Sequence, residues 1–122
     1  MGFLFVGLGG AAGAMLRYAV GMIPYKGTFP LITLAINVIG AFFIGFFTGI
    51  AINRHMSDNI ILFLKVGLCG GFSTFAAFSL EAYNMFSSGN HIIAVIYSFI
   101  SVALCIIGAW IGITVGGTVV KG

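Results

Sequence analysis

The chain has 122 residues, of which 61% are hydrophobic and 6% charged, with five Lys or Arg, two Asp or Glu and a formal net charge of +3. A soluble domain covers its surface with roughly a quarter charged residues. The composition and a mean hydropathy of +1.22 therefore exclude a water-soluble globule and place the chain in a bilayer. The charge is also too small and too scattered for a nucleic-acid or lipid-headgroup surface.

Three polar interruptions, PYKGTF at 24–29, NRHMSD at 53–58 and SSGN at 87–90, divide the chain into four spans at about 3–23, 30–52, 59–86 and 91–115. Each reaches the ~20 apolar residues that a membrane-crossing helix needs. The expected fold is an all-α membrane protein, a single four-helix transmembrane domain with no extramembrane domain left over. Function must then sit inside the bilayer or at its two faces. The first span has no basic leader and carries Arg17 where the apolar core of a signal peptide would continue, so it is expected to be a retained helix.

The first helix carries Gly9 and Gly13 with Gly10 and Ala14 beside them, and the fourth repeats the spacing at Gly108, Gly112 and Gly116. Such small-xxx-small faces let helix backbones approach closely, either within one subunit or between two. Helix two places Asn37 one turn after Thr33, and helix four places Ser101 one turn after Tyr97. Polar groups inside a membrane either bond a neighbouring helix or line a route. Asn, Tyr and Ser side chains all donate hydrogen bonds, which suits a partly dehydrated anion.

The third span holds Gly67, Gly70 and Gly71 followed by Ser73 and Thr74, which predicts a break in the helix near 70–75. Irregular backbone at bilayer depth is tolerated where protein or water surrounds it, and the carbonyls it frees can take a cation. The alternative is an intact helix with a Gly-lined crossing. Phe75 and Phe78 share one helical face; they either pack, or present the positive edge of the ring to an anion. Arg17, Lys65 and Glu81 are charges within the spans. They either snorkel or serve a site, for instance a basic vestibule. Cys69 and Cys105 read as small buried hydrophobes instead of a disulfide or metal framework, and His55 and His91 fall in loops and receive no role.

Orientation by loop charge is close to a tie. One side would carry Arg54 and Lys121, the other Lys26 with Arg17 leading toward it. A balanced chain of this kind is consistent with insertion in both directions, and hence with an antiparallel pair.

The stretches GGAAGAMLRY at 9–18, TLAINVIG at 33–40 with Phe42 and Gly45, and GLCGGFSTFAAFSLE at 67–81 together resemble the Fluc (CrcB) family of microbial fluoride channels over essentially the whole chain. The resemblance implies an antiparallel, dual-topology homodimer in the bacterial inner membrane that exports fluoride passively and so gives fluoride resistance. It implies two fluoride pathways lined by Asn37, Phe75, Phe78, Tyr97 and Ser101, with Thr33 as a further member and Glu81 as a vestibule or structural charge. Arg17 would be a vestibule or structural residue. It also implies a central structural sodium ion held by the main-chain carbonyls of Gly70 and Ser73 from both subunits. Between the two phenylalanines the family usually has Ser and Thr, where this chain has Ala76 and Ala77. Two hydroxyls of the expected track are thereby missing, which predicts reduced conduction.

Two other readings remain. A small proton-coupled multidrug exporter shares the length and helix count but needs a carboxylate deep in helix one, where this chain has only Arg17. A non-transporting small membrane subunit would use the same features for packing alone. An enzyme is not expected, since no Ser-His-Asp, metal-ligand or paired-carboxylate arrangement is present.

Overall fold

The computed structural model describes residues 2–27 and 29–121. Thr28 of the first interruption and the side chain of Lys121, one of the charges weighed for orientation, lie outside the described residues. The elements are α1 (Gly2–Gly21), α2 (Leu31–Asn53), α3 (Asp58–Ile61), a π-helical stretch (Leu62–Cys69), α4 (Gly70–Phe72), α5 (Phe75–Ser87) and α6 (His91–Lys121). Four helical spans, Gly2–Gly21, Leu31–Asn53, Asp58–Ser87 and His91–Val120, are long and apolar enough to cross a membrane.

Local chemistry sets the ends. α2 starts directly after Pro30, whose missing N–H costs nothing at a helix start. The third span opens with Ser57 accepting from the Ile60 N–H and with Asp58 in its first turn, both favourable at the positive end of the helix dipole. α5 closes on Gly89, whose φ of 89° is the left-handed conformation glycine adopts without strain. There the Asn90 N–H donates to Met85 O and the Gly89 N–H to Phe86 O, the paired bonds that satisfy the last carbonyls of a helix.

The break falls within the expected 70–75, and one helix end differs from the expectation. α6 runs six residues past the expected end at 115, because Gly116 seats α6 on α2 beside the Phe46 carbonyl and does not stop the helix. The break in the third span falls on Ser73 (φ −80°, ψ 155°) and Thr74 (φ −147°, ψ 112°), while Gly70 and Gly71 remain helical. The glycines serve a different purpose: Gly67 faces Val6 O and Gly9, and Gly71 faces Gly10. They let the third span lie against α1.

The helices interlock through glycine in two pairs. On α2 and α6, a Cβ at Gly45 or Gly49 would run into the carbonyl of Ala109 or Ile113, and one at Gly112 or Gly116 into that of Phe42 or Phe46. On α1, a Cβ at Gly9 or Gly13 would run into the carbonyl of Phe63 or Leu68. The small-residue faces of the first and fourth helices are therefore used within the subunit. A compact cluster of Leu34, Ala82, Met85, Ala94 and Tyr97, flanked by Phe29, Val38 and Phe78, joins α2, α5 and α6.

Adding one methyl group at Gly45 (Gly45→Ala) is expected to force α2 and α6 apart and destabilise the fold by about 1–3 kcal/mol. Gly7→Ala, where a Cβ meets nothing within 4 Å, is expected to be neutral or slightly stabilising. Apparent melting temperatures of the two variants in detergent check this.

Candidate functional site

The break is closed by one side chain. Asn37, in the second turn of α2, accepts from the Thr74 N–H at 2.7 Å and donates through Nδ2 to the Thr74 carbonyl at 3.0 Å. Both main-chain groups of an extended residue at bilayer depth are thus satisfied by a single amide. Thr74 in turn uses its Oγ1 to accept from the Ala77 N–H at 3.1 Å, capping α5. Ser73 turns back on the preceding helix, donating through both its N–H and its hydroxyl to Cys69 O. From the other side of the third span, Arg17 Nε donates to Gly71 O at 3.1 Å. Helices α1 and α2 therefore both hold the break.

A cavity of about 380 Å³ opens at this point, lined by Asn37, Gly70, Ser73, Phe75, Phe78 and Ser101 together with Cys69, Cys105 and apolar neighbours. It unites four of the residues expected to line an ion pathway with the two expected to offer carbonyls. Ser101 is 6% exposed, and its hydroxyl has no hydrogen-bond partner among the described residues. The hydroxyl oxygen is itself enclosed by protein, one turn along α6 from Tyr97. Phe75 is 76% exposed and meets Phe78 at 5.4 Å between ring centroids.

Beyond Phe78 the polar line continues. Phe78 packs against Tyr97 at 5.1 Å, and Tyr97, fully buried, donates through its hydroxyl to Glu81 Oε1 at 3.3 Å. Thr33 Oγ1 donates to Glu81 Oε2 at 3.0 Å. Each carboxylate oxygen of this intramembrane acid is thereby met by a hydroxyl donor. Thr33 and Glu81 also line a second cavity of about 370 Å³ on the side of the 22–30 loop. The two cavities lie at either end of a polar line that runs through the packed contact of Phe78 and Tyr97.

Several expected residues lie off this track. Lys65 is half-buried in the π-helical stretch, and neither it, Ala76 nor Ala77 lines these two cavities. Ala76 is exposed on the first turn of α5. No main-chain donor reaches the carbonyls of Gly70 and Ser73 among the described residues, so both retain full acceptor strength and fit a hard cation such as sodium, which takes oxygen ligands. Two such oxygens from one chain do not complete a shell.

The sequence marks Thr74 only as part of the break and not as a cap, although a Thr directly before an apolar run is a helix-cap signal. Its pairing with Asn37 across 37 positions carries no local signal. Replacing Asn37 with Ala is expected to leave both Thr74 groups without partners, at about 1–3 kcal/mol each. Hydrogen–deuterium exchange of a peptide spanning 70–78 should then speed up, while exchange in α6 stays at its original rate.

The family model described as "CrcB-like protein, Camphor Resistance (CrcB)" matches residues 4–113. Similar relatives include a "Fluoride-specific ion channel FluC" of Coxiella burnetii, 38% identical over 122 residues and covering 95% of this chain and 98% of the relative. Another of the same description, from Helicobacter pylori, is 40% identical over 115 residues, covering 90% and 88%. A third, from Phocaeicola vulgatus, is 40% identical over 113 residues, covering 90% and 93%. A match over nearly the whole length, with the break, the Phe pair and the polar track inside it, settles the relationship: the chain belongs to the CrcB-like protein (camphor resistance) family.

Proposed function

We propose that this chain is a fluoride-selective channel of the bacterial inner membrane, passing fluoride out of the cytoplasm down its gradient and so conferring resistance. The observation that carries this reading is the cavity at the break, which Ser101, Asn37 and the two phenylalanines Phe75 and Phe78 line together. Fluoride gives up water hydrogen bonds on entering such a space. Hydroxyl and amide donors replace part of that shell, and ring edges add a weak positive field. None of these grips as a cationic side chain would, and conduction needs sites weak enough to leave. From the cavity the ion passes Phe78 and Tyr97 to the hydroxyls of Thr33 and Tyr97, with Glu81 holding those donors in place between passages. Arg17 and Lys65 contribute positive charge toward opposite ends.

The working unit in this proposal is an antiparallel homodimer with two pathways. It is supported by the near-even loop charge and by the open side of the cavity, where Phe75 stands exposed on the single chain. A second copy would bring its own Gly70 and Ser73 carbonyls to the two free ones of the first, giving a four-oxygen site suited to sodium. A sodium ion held there would offset the repulsion between converging carbonyl dipoles.

Purified protein in liposomes loaded with fluoride is expected to release it down its gradient, with chloride unable to substitute. Release without preference for fluoride would overturn the assignment. Restoring hydroxyls at the first turn of α5 with Ala76→Ser and Ala77→Thr is expected to raise the efflux rate severalfold without altering dimer formation in size-exclusion chromatography. Equal or faster efflux through the Ala form would sink the idea that the missing hydroxyls limit throughput.

A further inference from the structure

Glu81 is one of two acidic residues in the chain, and the other, Asp58, lies at the opposite end of the third span, in the first turn of α3. Glu81 stands on α5 three residues beyond Phe78 and lines the second cavity with Tyr25, Thr33 and Asn84. Both of its oxygens are engaged: the Tyr97 hydroxyl on α6 donates to Oε1 at 3.3 Å, and the Thr33 hydroxyl on α2 donates to Oε2 at 3.0 Å. No Lys, Arg or His is among the described residues that line this cavity, and Lys26 of the adjoining loop is exposed. The surroundings of Glu81 are thus Tyr97 from α6, Thr33 from α2, Gly21 from α1, Tyr25 from the loop and Asn84 from its own helix, and none of them is cationic.

A carboxylate with no cation beside it conflicts with the passage of an anion. Like charges a few ångströms apart repel strongly where the dielectric is low, and an ionised carboxylate accepts hydrogen bonds but donates none. In that state Glu81 repels the ion and also occupies the two hydroxyl donors that the ion needs. One proton removes both obstacles. A protonated carboxyl is neutral and carries an O–H donor of its own. It also holds the Tyr97 and Thr33 hydroxyls less tightly, because hydrogen bonds to a neutral oxygen are weaker than those to a charged one.

We infer that Glu81 is a proton-operated gate on the ion route, closed while its carboxylate is ionised and open while it carries a proton. The inference rests on the channel reading above. The proton is taken from the aqueous side of the second cavity and returned there. Only an O–H bond forms and breaks, and no electron changes hands. With the proton in place, the Tyr97, Thr33 and Glu81 hydroxyl groups all offer donors to the anion; without it, Tyr97 and Thr33 turn back to the carboxylate and the route shuts.

The test measures fluoride efflux from liposomes holding the full chain, with equal pH on both sides, from about pH 8 down to about pH 5, where carboxylates begin to take up protons. Leakage from protein-free liposomes is subtracted at each pH. Wild-type efflux is expected to rise severalfold toward the acid end. Glu81→Gln, which keeps the shape of the side chain and cannot ionise, should run at the faster rate throughout and lose the pH dependence. Asp58→Asn, at the far end of the span, should keep the wild-type profile. It also leaves Glu81 as the one side-chain carboxyl, so infrared difference spectra of that variant are expected to show a protonated carboxyl band growing over the same pH interval. Efflux that is flat or slows in acid, a Glu81→Gln profile that follows the wild type, or a carboxyl band that does not track the rise overturns the gate. If Glu81→Gln does not assemble, the wild-type profile and the Asp58→Asn band still decide. Efflux absent at every pH overturns the channel reading and the gate with it, whereas fluoride efflux that ignores pH overturns the gate alone.

Discussion

The double hydrogen bond between Asn37 and Thr74 is the constraint on which the rest of the site depends. A residue in extended conformation in the middle of a membrane helix exposes an N–H and a carbonyl that lipid cannot satisfy, at a cost of several kcal/mol for each group. One carboxamide meets both. With that cost removed, the chain can change direction at Ser73 and Thr74, restart as α5 under the Thr74 cap, and turn Phe75 and Phe78 toward the same space as Ser101. A straight third helix would have no such space. The Gly70 and Ser73 carbonyls are free for the same reason, since the helical N–H groups that would have met them are displaced beyond the break.

The break is also held from its far side. Arg17, placed in a membrane span at considerable cost, spends one donor on the Gly71 carbonyl, tying α1 to the last turn before the extended residues. The π-helical stretch that leads into that turn is a second departure from regular geometry, and π-helical segments concentrate at functional sites. Irregular backbone, an intramembrane cation and a buried amide thus converge on a few residues. Away from these residues and from the Glu81 cluster, the spans are ordinary apolar helix.

Much of this was legible in the sequence. Hydropathy and the polar interruptions located three of the four spans to within two residues, because bilayer thickness imposes a length that few other constraints match, and missed only the six-residue extension of the last. The existence of a break was legible too, but its cause was misattributed. The glycines at 67 and 71 looked like the weak point, yet they are contact points for α1, and the hydroxyl residues after them form the break. A glycine signals flexibility and close approach with the same letter, and only the packing partner distinguishes them. The stripes containing Thr33, Asn37, Tyr97 and Ser101 were found by spacing, whereas the partners of Asn37 and Glu81 were not, since those pairings join residues far apart in the chain.

The two glycine interlocks have a consequence for how the molecule is made. α1 locks onto the third span and α2 onto α6, so neither pair consists of neighbours along the chain. Helices in lipid have little hydrophobic drive to associate and rely on close packing instead. During synthesis the first span therefore waits for the third, and the second waits for the fourth. Neither glycine interlock can form within the first half of the chain, and the second closes only once the last helix has entered the bilayer.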